Sequence, residues 1–194
     1  MNTCRRILAR RKLQNILAVV CFSLFLAATS AAKNNAFEIN YLNIVQLENE
    51  LRLDAEIDYQ LNSEVKEALE NGIPMLFQVE VQIKQLRKWG WGKTITDIKQ
   101  THMLKYHALS KQYIWENLDT GANDTFPDLD SALTHQGTIT AMFIAETANL
   151  SQVGNYVVQL RSSLLTNKLP LPLRVKSYFS PKWQLSSGWH EWPL

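Results

Sequence analysis

Residues 74–116 read PMLFQVEVQIKQLRKWGWGKTITDIKQTHMLKYHALSKQYIWE, and their apolar side chains recur with a period of two. Phe77, Val79, Val81 and Ile83 share one face of an extended chain, as do Ile98, His102, Leu104 and Tyr106 further on. A reversal at Gly90-Trp91 pairs Ile83 with Ile98, Val79 with His102 and Phe77 with Leu104. A second turn over residues 108–111 pairs Tyr106 with Tyr113 and Leu104 with Trp115. In both hairpins the register that closes the turn also joins the apolar sets. A slip of one residue would carry a whole set to the other face. The stretch predicts three long, meandering antiparallel strands.

The alternation extends upstream. Leu51, Leu53, Ala55, Ile57 and Tyr59 alternate with Arg52, Asp54, Glu56 and Asp58, which describes a strand with one face in the core and one in water. Residues 37–47 alternate through Phe37, Ile39, Tyr41, Val45 and Leu47. A turn at Glu48-Asn49-Glu50 would set Leu47 against Leu51 and Val45 against Leu53. A short helix follows, capped by Asn62 or Ser63, favoured by Glu64 and Glu67 at its positive end, and stopped at Asn71-Gly72.

Downstream, residues 119–125 read as a loop, and Asp128 caps a second short helix that Gly137 ends. Strands are expected over residues 138–143 and 155–165. Leu169-Pro170-Leu171-Pro172-Leu173 reads as an extended, polyproline-like or edge segment, with further strands over 174–179 and 184–192. The expected class is mainly β: an antiparallel, β-sandwich-like two-layer fold with long meandering strands and two short helices.

Charge divides the chain in two. Its 194 residues hold 20 basic and 18 acidic side chains, but Arg5, Arg6, Arg10, Arg11 and Lys12 lie in the first twelve positions. An apolar run, ILAVVCFSLFLAA, follows over residues 16–28. It is short for a membrane span of ~20 residues and suits the core of an export signal. Ser30 and Ala32 are small enough for signal-peptidase pockets. The expectation is a cleavable signal peptide over residues 1–32 and a single β-rich periplasmic domain over 33–194. Membrane contact is expected only through the signal segment, if it is left uncleaved.

Residues 33–194 keep 15 basic against 18 acidic side chains, a net charge of −3 that argues against nucleic acid as a partner. Both cysteines, Cys4 and Cys21, lie in the leader, so the domain has no disulfide, thiol nucleophile or cysteine-bound metal. His102, His107, His135 and His190 form no HxH or HExxH pattern. His102, on an apolar face, reads as a hydrogen-bonded core or rim residue. Asp54, Glu56 and Asp58 read as a solvated face. No GxSxG, SxxK or phosphate-binding glycine loop occurs. Neither cofactor nor metal is expected, and no catalytic residue.

The aromatics are the remaining candidates. Trp89 and Trp91 flank a hairpin tip, and Trp183, Trp189 and Trp192 crowd the C-terminus. Trp89, Trp91 and Trp192 are the candidate binding residues, since exposed tryptophan stacks on sugars or anchors a partner. If residues 184–191 are a regular strand, Leu185 and Trp189 share its core face and Trp192 points away.

Several short sequences, taken in order, resemble an uncharacterised family of exported proteobacterial proteins, domain-of-unknown-function family 4390. They are residues 68–74 (ALENGIP), 106–113 (YHALSKQY), 130–133 (DSAL), 169–173 (LPLPL) and 183–189 (WQLSSGW). The resemblance implies a Gram-negative envelope location and carries no catalytic or binding residue. Members tend to be encoded beside a membrane sensor kinase of the nitrogen-regulation type, which suggests an accessory role near such a receptor. The expected function is therefore a non-enzymatic module that works through contact with an envelope or inner-membrane protein. The alternative is a glycan- or lipid-binding module using exposed aromatics. An envelope hydrolase is a third reading, with no motif behind it.

Overall fold

The computed structural model describes residues 36–87, 92–150 and 154–194. The expected signal peptide, together with Trp89 and Trp91, lies outside the described residues. Strands β1 (Phe37–Leu47) and β2 (Glu50–Tyr59) form a hairpin, and α1 (Ser63–Glu70) follows. The meander is β3 (Met75–Leu86), β4 (Lys93–His107) and β5 (Gln112–Asn117), extended by β6 (Asn123–Phe126). Then come α2 (Leu129–Gly137), β7 (Thr138–Glu146), β8 (Asn155–Leu164), α3 (Leu171–Phe179) and β9 (His190–Pro193).

These strands build two antiparallel sheets. One has the order β1-β2-β7, the other β6-β5-β4-β3-β8-β9. Their inner faces meet in a shared core, where Phe37, Tyr59 and Phe77 bring β1, β2 and β3 together. The ring centroids of Phe37 and Tyr59 lie 4.7 Å apart, and those of Tyr59 and Phe77 lie 5.4 Å apart. Every inward residue of β2, from Leu51 to Tyr59, is buried, as are Phe77, Val79, Val81 and Ile83 of β3. Each buried Leu, Ile, Val or Phe among them contributes ~1.5–3 kcal/mol relative to exposure. The expected mainly β, two-layer architecture holds, with three short α-helices among the described residues rather than two.

Register agrees in parity more often than in pairing. The β4–β5 hairpin pairs Tyr106 with Tyr113 and Leu104 with Trp115, as the sequence predicts. In the β3–β4 hairpin Phe77 faces His102 and Val81 faces Ile98, two residues from the expected alignment. A two-residue slip leaves every side chain on its own face, so hydrophobic pattern cannot detect it. In the first hairpin the turn is Glu48-Asn49, with Glu48 at φ 53°, and Leu47 pairs with Glu50. A bulge between Ile39 and Tyr41 reverses the alternation midway along β1. Leu42 and Ile44 then pack on the core, while Tyr41 and Leu47 are about half exposed.

The two short helices expected from the sequence form where their caps stand. Asn62 accepts from the Val65 N–H, and Asp128 from that of Ser131. Gly137 ends α2 against β2 so closely that a Cβ there would sit 2.0 Å from the Ile57 carbonyl oxygen. The extended reading of residues 169–173 and the strand expected over 174–179 are overturned, because α3 occupies this stretch. Pro170 is its N-cap and Pro172 lies in its first turn, where a helix needs no N–H donor. Within the supposed loop 119–125, Asn123 begins β6, which pairs with β5.

Candidate functional site

A buried polar network joins both sheets and α2. β4 turns His102 inward, β5 supplies Trp115, β2 supplies Tyr59, and α2 supplies Gln136, which is 1% exposed. The Trp115 indole N–H donates to Gln136 Oε1. This fixes the amide, so Gln136 Nε2 points at the Tyr59 hydroxyl, 3.3 Å away, and at His102 Nδ1, 3.1 Å away. His102 Nδ1 therefore accepts from Gln136, while its Nε2 lies 3.4 Å from the Asn117 side-chain amide. Tyr59 continues the chain to Ser162 Oγ on β8, at 2.8 Å.

Burial lowers the pKa of His102 to about 4 and raises that of the Tyr59 phenol. Both groups are neutral at pH 7, so the interior carries a hydrogen-bonded spine without charge. Asp119, whose charge opposes the fall at His102, accepts from the Thr101 N–H at 2.6 Å. The hydrogen-bonded core histidine expected from the sequence is what β4 presents. A cavity of about 350 Å³ opens beside it, lined by Trp115, His135, Ile139 and Phe143 among others. No cluster of metal-ligating side chains occurs among the described residues.

The C-terminal tryptophans depart from expectation. Residues 184–189 form no regular strand; only an isolated bridge joins Ser163 to Ser186. Backbone bonds join the two segments there, Leu164 N–H to the Leu185 carbonyl and Ser187 N–H to the Ser162 carbonyl, each at 2.9 Å. Serine side chains add to them: Ser187 Oγ accepts from the Ser162 N–H at 3.0 Å, and Ser186 Oγ donates to the Ser162 carbonyl at 3.1 Å. Gly188 then turns the chain at φ 71°. As a result Trp183 is buried, while Trp189 is 37% exposed and carries the Arg161 guanidinium 4.5 Å from its ring centroid. Arg161 pairs with the buried Glu80 carboxylate across β3 and β8. Trp192 lies on β9, half-buried against the core beside the His190 ring. Parity alone assigns Trp189 to the core and Trp192 to water; Trp183, Leu185 and Ser187 keep that parity, and the turn at Gly188 reverses it for Trp189 and Trp192.

The sheet edges differ sharply. β7 carries a bulge in which Ala141 stands at φ 49°, its N–H donating to Asp54 Oδ1 and its carbonyl accepting from Arg52. Asp54 was expected only to face solvent. Among the described residues, β1 pairs with β2 alone, so its outer side is open. Over eleven residues β1 holds a single charge, Glu38, and no proline. Charge, proline and short length are the usual protections of an edge, and β1 lacks them apart from its one bulge. No motif announced this site. The signal was a long alternating segment with few charges, and only topology shows that the segment has one neighbour.

Residues 34–193 match the protein family described as Domain of unknown function (DUF4390). No curated protein and no solved structure matches the chain.

Proposed function

The chain belongs to that family of unknown function, and from this footing we propose that it is an exported, non-enzymatic domain of the Gram-negative envelope acting through protein contact. The observation that carries the reading is the open edge of β1. Unpaired backbone N–H and C=O groups along an extended edge recruit a partner strand, with alternate side chains supplying selectivity. Tyr41, Asn43 and Leu47 are exposed along this edge, and the sheet that it borders is only three strands wide. The partner in this reading is an envelope or inner-membrane protein. A sensor kinase of the nitrogen-regulation type is the candidate that family resemblance suggests. An export signal in residues 1–32 would deliver the domain to that compartment.

The test is photo-crosslinking in living cells with a reactive residue at Asn43. One adduct of defined mass, identified by mass spectrometry and lost when Tyr41→Lys and Leu47→Lys charge the edge, is the expected result. Adducts at Asn43 no different from those at the fully exposed Leu109 would end this reading.

A further inference from the structure

Helix α3 is mounted with its apolar side outward. On a helix of 3.6 residues per turn, Leu171, Val175, Tyr178 and Phe179 form one stripe. All four are exposed, from 56% at Val175 to 85% at Phe179. The opposite side, through Leu173 and the buried Ser177, packs on the domain. Four large apolar side chains on one nine-residue helix exceed the scattered apolar exposure of an ordinary surface.

The surroundings of the stripe are basic. Arg174 and Lys176 lie on its two flanks, Lys168 precedes the helix, and Lys182 follows it. Glu64 on α1 is bonded to Lys176 at 3.1 Å and to Lys182 at 2.8 Å. Four cations thus border the stripe, in a domain whose overall charge is −3.

We propose that α3 is an interfacial helix that seats this end of the domain on an anionic phospholipid surface. Leu171, Val175, Tyr178 and Phe179 would enter the headgroup–acyl boundary, with the flanking Lys and Arg meeting lipid phosphates. That arrangement of an aromatic and aliphatic stripe between cations is the composition of helices lying in the plane of a bilayer. A protein groove would accept the stripe equally well, but would leave the flanking cations unexplained. The proposal uses residues distinct from β1, so it stands or falls separately from the edge-strand reading.

The test uses the full chain with Cys4 and Cys21 replaced by serine. A single Val175→Cys carries an environment-sensitive fluorophore, with Leu109→Cys as the control site and Tyr178→Cys as a second site if the first variant loses its unfolding transition. Vesicles of equal parts phosphatidylethanolamine and phosphatidylglycerol should shift emission from position 175 to the blue and leave position 109 unchanged. Phosphatidylcholine vesicles should give a much smaller shift at 175. Lys168→Glu and Lys182→Glu should each lower the ratio of shifted to unshifted label by at least roughly fivefold. Three results overturn the proposal. One is a label at 175 already shifted without lipid, which means that the leader or a second copy covers the helix. Another is no shift on either vesicle, which leaves a protein as the occupant. The last is an equal shift at 175 and 109.

Discussion

The Ala141 N–H donates to Asp54 Oδ1 at 2.7 Å, across 87 residues of sequence, and holds β7 in a bulge that keeps its edge from accepting another strand. Arg52 completes the clamp by donating to the Ala141 carbonyl at 3.0 Å while pairing with Glu50. Two charged residues on the outward face of β2 thus act on a neighbouring strand's backbone. Asp54→Ala should cost about 1–2 kcal/mol, the range for a lost charge-assisted hydrogen bond at a partly exposed site. Chemical denaturation reads the loss, and Asp54→Asn should recover part of it, because its amide oxygen still accepts.

His102 makes stability depend on pH in a defined window. Its pKa is near 6.5 when unfolded and about 4 in the folded chain, since burial disfavours the imidazolium. Between these values the unfolded chain binds more protons, so stability is full above pH 6.5 and falls as pH drops toward 4. The loss by pH 4 should reach about 3 kcal/mol. His102→Gln should remove the slope over pH 4.5–6.5. An unchanged slope in that variant would assign the titration to another group.

Gly137 and Gly72 should respond differently to alanine. Gly137→Ala places a methyl against the Ile57 carbonyl, a backbone atom that cannot swing aside, and should cost more than about 2 kcal/mol. Gly72 stands at φ 82° with open space around it, so Gly72→Ala meets only the left-handed backbone preference, about 1 kcal/mol. Unfolding midpoints of the two variants compare them directly.

Trp183→Ala should be the most damaging tryptophan substitution at the C-terminus. The ring is 1% exposed and its N–H donates to Glu64 at 3.2 Å, so removal leaves a cavity and a weakened tie to α1. A loss of ~3–5 kcal/mol is expected. Trp189→Ala should cost no more than about 1 kcal/mol, chiefly the stacking with Arg161. Equal losses at the two positions would show that Trp189 is packed more deeply than its exposure implies.

Much of the fold was legible residue by residue. The inward faces of β2 and β3, the β4–β5 register and the caps at Asn62 and Asp128 all follow from local pattern and capping chemistry. His102 was placed in the core by its position among Ile98, Leu104 and Tyr106. The candidate sites were not legible in this way. Leu169-Pro170-Leu171-Pro172-Leu173 hid a helix start behind two prolines, and no pattern reveals that an apolar stripe will face water.

The sequence alone determined what depends on near neighbours: the β class, the turn at residues 108–111, the starts of α1 and α2, and the apolar sides of β2 and β3. Those features follow from backbone sterics, short-range hydrogen bonds and a side-chain period of two. Tertiary structure decided which strands meet, because a shift of two residues between β3 and β4 preserves every face. It also decided that β1 has one neighbour, that Asp54 reaches Ala141, and that residues 185–187 pair with β8 before the chain turns at Gly188 and exposes Trp189. Each of these rests on a contact between residues far apart in the chain, whose free energy exists only once the two sheets have closed on each other.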